Sequence, residues 1–152
     1  MIKSKTTHES LTQMSEVVFP NDTNPMGIVQ GGRIIQLMDI ACAICAQSHA
    51  QRIAVTVSID KVSFIKPAKL GDILTITAKI TRAFTTSMEI YASVWAKRLP
   101  HMQSSLTTEA YFTFVALDKN AKPCAIPSLT PITSEEKLQY KKALERKKAR
   151  TA

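Results

Sequence analysis

One stretch constrains the fold more than any other. Arg33 to Ser48 is apolar on most sides and contains a single carboxylate, Asp39. A helix with that pattern belongs inside a domain, covered by other elements, rather than on its surface. The approach to it is equally distinctive. Three of the chain's four glycines, Gly27, Gly31 and Gly32, fall within six residues, which concentrates the permissive backbone positions at the helix entrance.

At helical spacing Gly32, Gln36 and Asp39 share one face, and Ala43 and Ala46 continue it with small side chains. Ile34, Leu37, Met38, Ala41, Ile44 and Cys45 lie opposite. The helix therefore has a thick apolar side for packing and a thin side where a ligand or a second chain can come close. A carboxylate in apolar surroundings needs a partner or a raised pKa. Asp39 is thus either a structural hydrogen-bonding group or a chemical one. A Gly-Gly pair at a helix start bares backbone N–H groups at the positive end of the helix dipole, a place suited to a phosphate or a developing oxyanion. Asn24, seven residues upstream of Gly31, can return to that mouth to orient a water or a carbonyl. Asn21-Asp22-Thr23-Asn24-Pro25 is also strong turn chemistry on its own.

The rest of the chain reads as strands. Leu11 to Phe19 is the first. Val55, Val57 and Ile59 alternate, and then Val62 and Phe64 alternate on the other parity, so a β-bulge or face switch is expected at Asp60-Lys61. Leu74, Ile76, Ala78 and Ile80 alternate, as do Met88, Ile90, Ala92 and Val94, and Leu106 to Leu117 forms a last strand. Pro67, Gly71, Thr85-Thr86 and Pro100 mark the breaks. The order βαββββ implies an α+β fold, a curved antiparallel sheet wrapped around one helix. Thr133-Ser134-Glu135-Glu136 has the form of a capping box and starts a C-terminal helix with a narrow docking stripe of Tyr140, Ala143 and Leu144.

Net charge is +8, and half of the excess lies between Thr133 and Ala152. Such a tail either carries solvated charge or attracts a polyanion. Aromatic residues are not interleaved with the basic ones, which favours a small phosphorylated ligand over nucleic acid. The 152 residues suffice for one domain with a real core. Met1 to Ser15 is polar and lacks the apolar segment of a secretion signal, and no apolar run reaches membrane-spanning length, so a cytoplasmic protein is expected. Cys42 and Cys45 form a C-x-x-C without basic neighbours, and Cys124 is remote, so small buried thiols are expected rather than redox or zinc chemistry. His8, His49 and His101 are scattered and there is no G-x-S-x-G, which argues against a Ser-His-Asp hydrolase.

Taken together, Pro20-Asn21-Asp22-Thr23-Asn24-x-x-Gly27-x-x-x-Gly31-Gly32 and Leu37-Met38-Asp39 resemble the acyl-CoA thioesterases (acyl-CoA hydrolases) of the hotdog superfamily. The resemblance continues in Val55-Thr56-Val57-Ser58-Ile59-Asp60-x-Val62-x-Phe64, in Leu70-Gly71-Asp72 and in Thr81-Arg82-Ala83-Phe84-Thr85-Thr86-Ser87-Met88-Glu89. It ends with Ala110 to Asp118 and Pro127-x-x-x-Pro131. It implies a flexible N-terminus over residues 1–10, a single hotdog domain over 11–131 and a basic helix over 132–152. It also implies hydrolysis of acyl-CoA to CoA and a carboxylic acid, with no cofactor and no metal, since CoA is part of the substrate. Asp39 would be the general base or nucleophile and Asn24 its partner in catalysis, with the backbone of Gly31 and Gly32 as the oxyanion site. Thr56, Val57 and Ser58 would follow the pantetheine arm, and Lys66, Arg82, Thr86, Ser87 and basic residues of the tail would meet the CoA phosphates. Such domains pair edge to edge and commonly build hexamers, with Asn24 of one chain facing Asp39 of the other. Gln30 and Pro25 depart from the family pattern at the mouth of the site and bear on acyl-chain preference. A non-catalytic acyl-CoA sensor on the same fold is the alternative, and a basic nucleic-acid-binding protein is a third.

Overall fold

The computed structural model describes residues 2–151. Five strands, β2 (Thr12–Val17), β3 (Ile53–Phe64), β4 (Ile73–Ala83), β5 (Ser87–Lys97) and β6 (Ser104–Leu117), form one antiparallel sheet in the order β2-β4-β5-β6-β3. A long helix, α2 (Gly31–Ala50), packs on one face, and α3 (Ser134–Thr151) lies on the other. This is the expected βαββββ arrangement with its C-terminal helix, a hotdog fold. The core forms where Ile34, Leu37, Met38, Ala41 and Cys45 of α2 meet inward residues of the sheet, among them Ile76, Ile90, Phe112 and Phe114. Each large apolar side chain buried there contributes about 1.5–3 kcal/mol, so the α2–sheet contact is the main source of stability. None of the helices is long and apolar enough to cross a membrane, among the described residues.

The seat of α2 corrects its sequence reading. Ala46 and Cys42 are fully buried, while Ile44, expected on the packed side, is exposed together with Ile40. The sheet covers a narrower arc of the helix than the apolar pattern suggests. Gly32, Gln36, Ile40, Ile44 and Gln47 form a stripe that this chain leaves open.

The edge strand β3 is also more irregular than its alternation implies. Its register against β6 slips twice, between Asp60 and Ser63 as expected and also between Thr56 and Ser58. Lys61 takes a left-handed φ of 55° at the second slip. Residues opposite one another share a face. Thr56 pairs with Phe114 and Ile59 with Phe112, so both face α2, whereas Val55 and Ser58 pair with Val115 and Thr113 on the α3 side. The even spacing of Val55, Val57 and Ile59 therefore does not mark one face.

The first ten residues, expected to be flexible, carry structure from Lys5 onward. β1 (Lys5–Thr6) pairs in parallel with β7 (Leu129–Thr130), and α1 (Thr7–Ser10) buries Thr7 and Ser10. Glu9 caps the turn by accepting the Thr6 N–H at 2.7 Å. Lys5 Nζ donates to His49 O at 2.9 Å, which ties the segment to the C-terminal end of α2.

Half of the expected capping box of α3 forms, with the Glu136 N–H donating to Thr133 Oγ1 at 3.1 Å, while the Glu136 carboxylate reaches one residue further back and accepts the Ile132 N–H at 3.3 Å. Ala143 is the buried residue of its docking stripe. Charge does the rest of the docking. Arg146 forms a fork on the fully buried Glu89, with Nη2 to Oε1 at 2.7 Å and Nε to Oε2 at 2.9 Å, and stacks 3.8 Å from the centre of the Tyr111 ring.

Candidate active site

Three pieces of chain build the site: the loop before α2, the first turns of α2, and β3. In the loop, Asn24 Oδ1 accepts the N–H groups of Met26 at 2.9 Å and Ile28 at 3.2 Å. Gly27 takes φ 75°, a conformation that an L side chain rarely adopts, and its N–H closes the turn on Asn24 O at 2.9 Å. Because two backbone donors occupy the amide oxygen, Asn24 Nδ2 is the end left to act. It donates no hydrogen bond among the described residues, although Asn24 is half-buried.

The loop is held from both sides. Asp22 accepts the Phe19 N–H at 2.9 Å and Arg33 Nε at 3.0 Å, and its backbone carbonyl accepts the Gln30 N–H. On the far side, the Val29 N–H donates to Ala68 O and the Leu70 N–H to Gly27 O. Asp72 closes the second loop: the Lys69 N–H donates to its carboxylate at 2.9 Å, and Arg98 forks onto it at 2.8 and 2.9 Å. Burial alone would raise the pKa of Asp72. The hydrogen bonds from Arg98 and Lys69 and the two positive charges outweigh it and hold the carboxyl below its usual range.

At the entrance to α2, the N–H groups of Gly31 and Gly32 find no acceptor among the described residues, and both glycines are exposed. The first N–H groups of a helix are unpaired by geometry, and Gln30 at the cap position supplies no side-chain acceptor, since its amide donates to Thr23 O instead. Neither glycine has the left-handed φ that its permissiveness suggested; only Gly27 and Gly71 do. Their value is bareness. A Cβ on Gly31 would come within 3.4 Å of the Phe64 ring, and Gly32 opens on empty space.

Asp39 lies two turns further on, half-buried, and Thr56 Oγ1 donates to its Oδ1 at 2.6 Å. That contact orients the carboxylate and leaves its other oxygen without a partner among the described residues. With a rise of 1.5 Å per residue, Asp39 sits about 12 Å along the axis from the Gly31 N–H.

The remaining expected residues are dispersed. Val57 lies at the first register slip and is exposed, and Ser58 turns to the α3 side. Lys66 is exposed beside the α2 entrance. Arg82 is committed to α3, donating to Tyr140 O at 3.1 Å and stacking 4.0 Å from the Tyr140 ring centre. Thr86 and Ser87 lie at the β4–β5 turn, with Ser87 and Arg82 on the α3 face, away from Asp39. In the tail, Arg146 and Arg150 pair with Glu89 and Asp60, and Lys147 sits over Phe84. Two contacts escaped the sequence reading, Thr56 on Asp39 and Asp22 on Arg33. Residues 17 and 11 positions apart, on different elements, give no periodic signal. Cys42 and Cys45 are buried, and burial pushes the Cys45 thiol up to about 12, so neither is poised as a thiolate.

Two of the clefts that border these elements bear on the site. The larger, ≈ 530 Å³, lies under α3 between Asp60, Lys61, Lys142 and Arg146. The other, ≈ 330 Å³, opens beside Gly31 and is lined mostly by apolar residues.

Comparison with known proteins agrees with this architecture. A family model of the thioesterase superfamily matches residues 26–100. An acyl-CoA thioester hydrolase of Bacillus subtilis, YkhA, described as uncharacterized, is 35% identical over 138 residues, which are 91% of this chain and 80% of that protein. A solved apo-hexameric acyl-CoA thioesterase superposes with a TM-score of 0.95 at 38% identity, over 99% of this chain and 96% of its own. An acyl-CoA hydrolase of Staphylococcus aureus, in complex with butyryl coenzyme A, coenzyme A and coenzyme A disulfide, superposes with a TM-score of 0.90 at 38% identity, over 97% of this chain and 92% of its own. The same hydrolase is known as alanine variants of an asparagine, an aspartate and a threonine. A likeness that runs through nearly the whole sequence and fold makes this chain a member of the acyl-CoA thioester hydrolase family, within the hotdog thioesterases.

Proposed function

We propose that this protein hydrolyses acyl-CoA thioesters to CoA and a carboxylic acid, in a site completed by a second copy of the chain. The observation that carries the reading is a set of three unused donors in the loop before α2 and at its first turn. Among the described residues, the Gly31 and Gly32 N–H groups and Asn24 Nδ2 are without acceptors, beside a helix whose one carboxylate is held by Thr56. The asparagine, aspartate and threonine altered in the Staphylococcus aureus hydrolase are separated by fifteen and seventeen positions, the same separations as Asn24, Asp39 and Thr56.

Distance brings in the second copy. A thioester carbonyl must lie about 3 Å from both its nucleophile and its oxyanion donors. Within one chain those groups are about 12 Å apart along α2. Two antiparallel copies of the α2 entrance and the Asp39 turn, facing each other, bring Asp39 of one copy to the donors of the other. The unpaired outer edge of β3 and the open stripe of α2 supply a surface for this. Ile53, Val55, Val57, Ile59 and Phe64 on β3 are exposed, and a bare apolar edge strand invites pairing. Hexameric assembly of related thioesterases fits the same picture.

A thioester is already a good acyl donor, so placement and charge stabilisation are the main demands. The Gly31 and Gly32 N–H groups take the negative charge that grows on the carbonyl oxygen, with the dipole of α2 behind them. Asn24 Nδ2 holds the water or the carbonyl. Asp39 either removes a proton from water as it attacks or attacks directly, forming an anhydride that water then opens. In both routes the C–S bond breaks and CoA leaves as the thiolate.

The test is thiol release from acetyl-, butyryl-, octanoyl- and palmitoyl-CoA by wild type, by Asp39→Ala and by Asn24→Ala. Both variants are expected to fold and to lose turnover. Refolding the two together then restores activity toward about a quarter of wild type, because half of the dimers are mixed and one of their two sites is intact. Full turnover in both single variants would remove the assignment. Loss without recovery on mixing would place the site within one chain. Binding of CoA esters without any release by wild type would make the protein a sensor.

A further inference from the structure

We infer that Asp22 and Arg33 are a positioning pair, whose ion pair straps the two ends of the loop before α2 and so sets the Asn24 amide against the Gly31 and Gly32 N–H groups. The inference rests on the hydrolase reading and adds to it the residues that hold its donors in place.

Arg33 stands in the first turn of α2, where a cation opposes the helix dipole and no acidic residue of that turn answers it. A charge kept at so unfavourable a place calls for a partner outside the helix. Asp22 is that partner, eleven positions back, accepting Arg33 Nε on its Oδ1 at 3.0 Å. The contact is sheltered, with the Arg33 side chain 30% exposed and that of Asp22 19%. Another arm of the guanidinium, Nη1, donates to Gln36 Oε1 at 2.9 Å, so the planar fork is held at two points.

The pair joins the two pieces of chain that carry the donors. Asn24 lies two residues after Asp22, and Gly32 immediately precedes Arg33. Asp22 is itself fixed, its Oδ2 accepting the Phe19 N–H at 2.9 Å and its carbonyl accepting the Gln30 N–H at 2.9 Å. The bonds from Val29 to Ala68 and from Leu70 to Gly27 hold the middle of the loop, whereas the Asp22–Arg33 pair and the Gln30 N–H close its ends. The backbone bonds outlast loss of the charge pair. Without it the loop stays folded and its ends gain play, and a misplacement of about 1 Å costs about a hundredfold in rate.

Two variants test the pair: Asp22→Asn, which can still accept the Phe19 N–H, and Arg33→Met, which keeps the aliphatic stem. Each is expected to lower kcat about thirtyfold, with KM within about twofold. The urea midpoint should hardly move, since ion pairs open to solvent add little to stability. Residues that act as one unit are not additive, so the double variant should be no slower than the slower single one. Arg33→Lys keeps the charge without the fork and should recover part of the loss. A second measurement is independent of turnover. S-propyl-CoA and S-(3,3,3-trifluoro-2-oxopropyl)-CoA, a ketone whose hydrated carbon imitates the tetrahedral intermediate, are titrated by calorimetry. Wild type should prefer the ketone about a hundredfold. Both variants should lose that preference in step with kcat and bind S-propyl-CoA as wild type does.

Full turnover in both variants would overturn the inference and leave the hydrolase reading standing. No turnover by wild type, with a ketone preference that the variants lose, would keep the pair and remove the hydrolase. With neither turnover nor ketone preference in wild type, both fall. Weaker binding of S-propyl-CoA in Arg33→Met alone would make Arg33 a substrate contact, and a lowered urea midpoint with unchanged kcat per folded site would make the pair structural. Either result ends the inference.

Discussion

The two long helices sit on opposite faces of one sheet and have opposite kinds of contact with it. α3 brings charge to its face, and nearly every charge turned inward is answered: Arg146 by Glu89, Arg150 by Asp60 and Arg82 by the carbonyl of Tyr140. Thr81 Oγ1 donates to Glu89 Oε1 at 2.6 Å and completes that carboxylate's shell. α2 brings little charge, and at its entrance and on the loop before it several polar groups are left incomplete among the described residues: two glycine N–H groups, the Nδ2 of Asn24 and one oxygen of Asp39. A polar group that the fold completes holds structure. One that the fold positions and leaves unanswered is available to a ligand. The larger cleft lies on the α3 side, but the arginines around it are already paired, which is why the smaller cleft beside Gly31 is the better candidate for chemistry.

The sharpest way to break this contrast is at Asp39. Asp39→Asn keeps the shape and can still accept from Thr56, so stability should change little while kcat falls about a thousandfold, within the range that a general base or nucleophile supplies. Thiol release under saturating substrate and a urea midpoint measured on the same sample check both halves. A variant that unfolds while keeping its turnover per folded site would make Asp39 a structural residue and erase the difference between the faces.

The opposite outcome is expected on the other side of the sheet. Glu89→Gln leaves Arg146 facing a neutral amide at a fully buried position. Removing one member of a buried pair costs about 3 kcal/mol or more. At matched protein concentration the urea midpoint should fall accordingly, while kcat per folded site stays within about twofold, as for distant sites that add independently. Loss of turnover in a Glu89→Gln protein of unchanged stability would show that the α3 face reaches the site.

Between these extremes lies Thr56, which belongs to the sheet by position and to the site by contact. Thr56→Val removes the hydroxyl that donates to Asp39 and preserves the branched shape. A hydrogen bond to a charged group contributes about 1.5–3 kcal/mol, and even its lower end predicts a loss in kcat of about tenfold. Thr56→Ser should restore most of it. If valine and threonine turn over equally, the carboxylate is oriented by the second chain rather than by Thr56.

What could be read in the sequence follows the same division. The apolar periods of β4, β5 and α2 fixed the fold class, because burial repeats every second or every third to fourth residue, and Asp39 stood out as the one carboxylate in an apolar helix. Glu89 carried no such mark. It sits in a strand whose neighbours Met88 and Ile90 set the period, and its partner Arg146 is 57 residues away on an element whose basic residues looked like a solvated face. The slip at Val57 was hidden for a related reason. Three evenly spaced apolar residues imitate one face when an extra residue has in fact turned the strand over. The phosphate contacts expected for Arg82 and the tail came with the family resemblance and with charge, and charge does not say whether a neighbour within the chain also answers it.

The smallest effect lies within α2, where the entrance is open and the exit is closed. At the exit His49 is fully buried, its Nε2 hydrogen-bonded to Pro127 O at 2.7 Å and its Nδ1 without a partner among the described residues. Burial lowers its pKa below the ordinary imidazole value, the hydrogen bond to Pro127 opposes this in part, and the Lys5 ammonium adds to the lowering. The unfolded chain takes up a proton near pH 6.5, whereas the folded chain does so only at lower pH. Stability is therefore full above about pH 6.5 and declines as pH falls below it, until the folded-state value is passed. One proton gives at most about 1.4 kcal/mol per pH unit, so a loss of about 1 kcal/mol is expected between pH 7.5 and 5.5. Urea midpoints across that range should fall for wild type and flatten for His49→Gln. Equal slopes in the two proteins would assign the acid sensitivity elsewhere and leave the exit of α2 as indifferent to protons as a packed apolar contact.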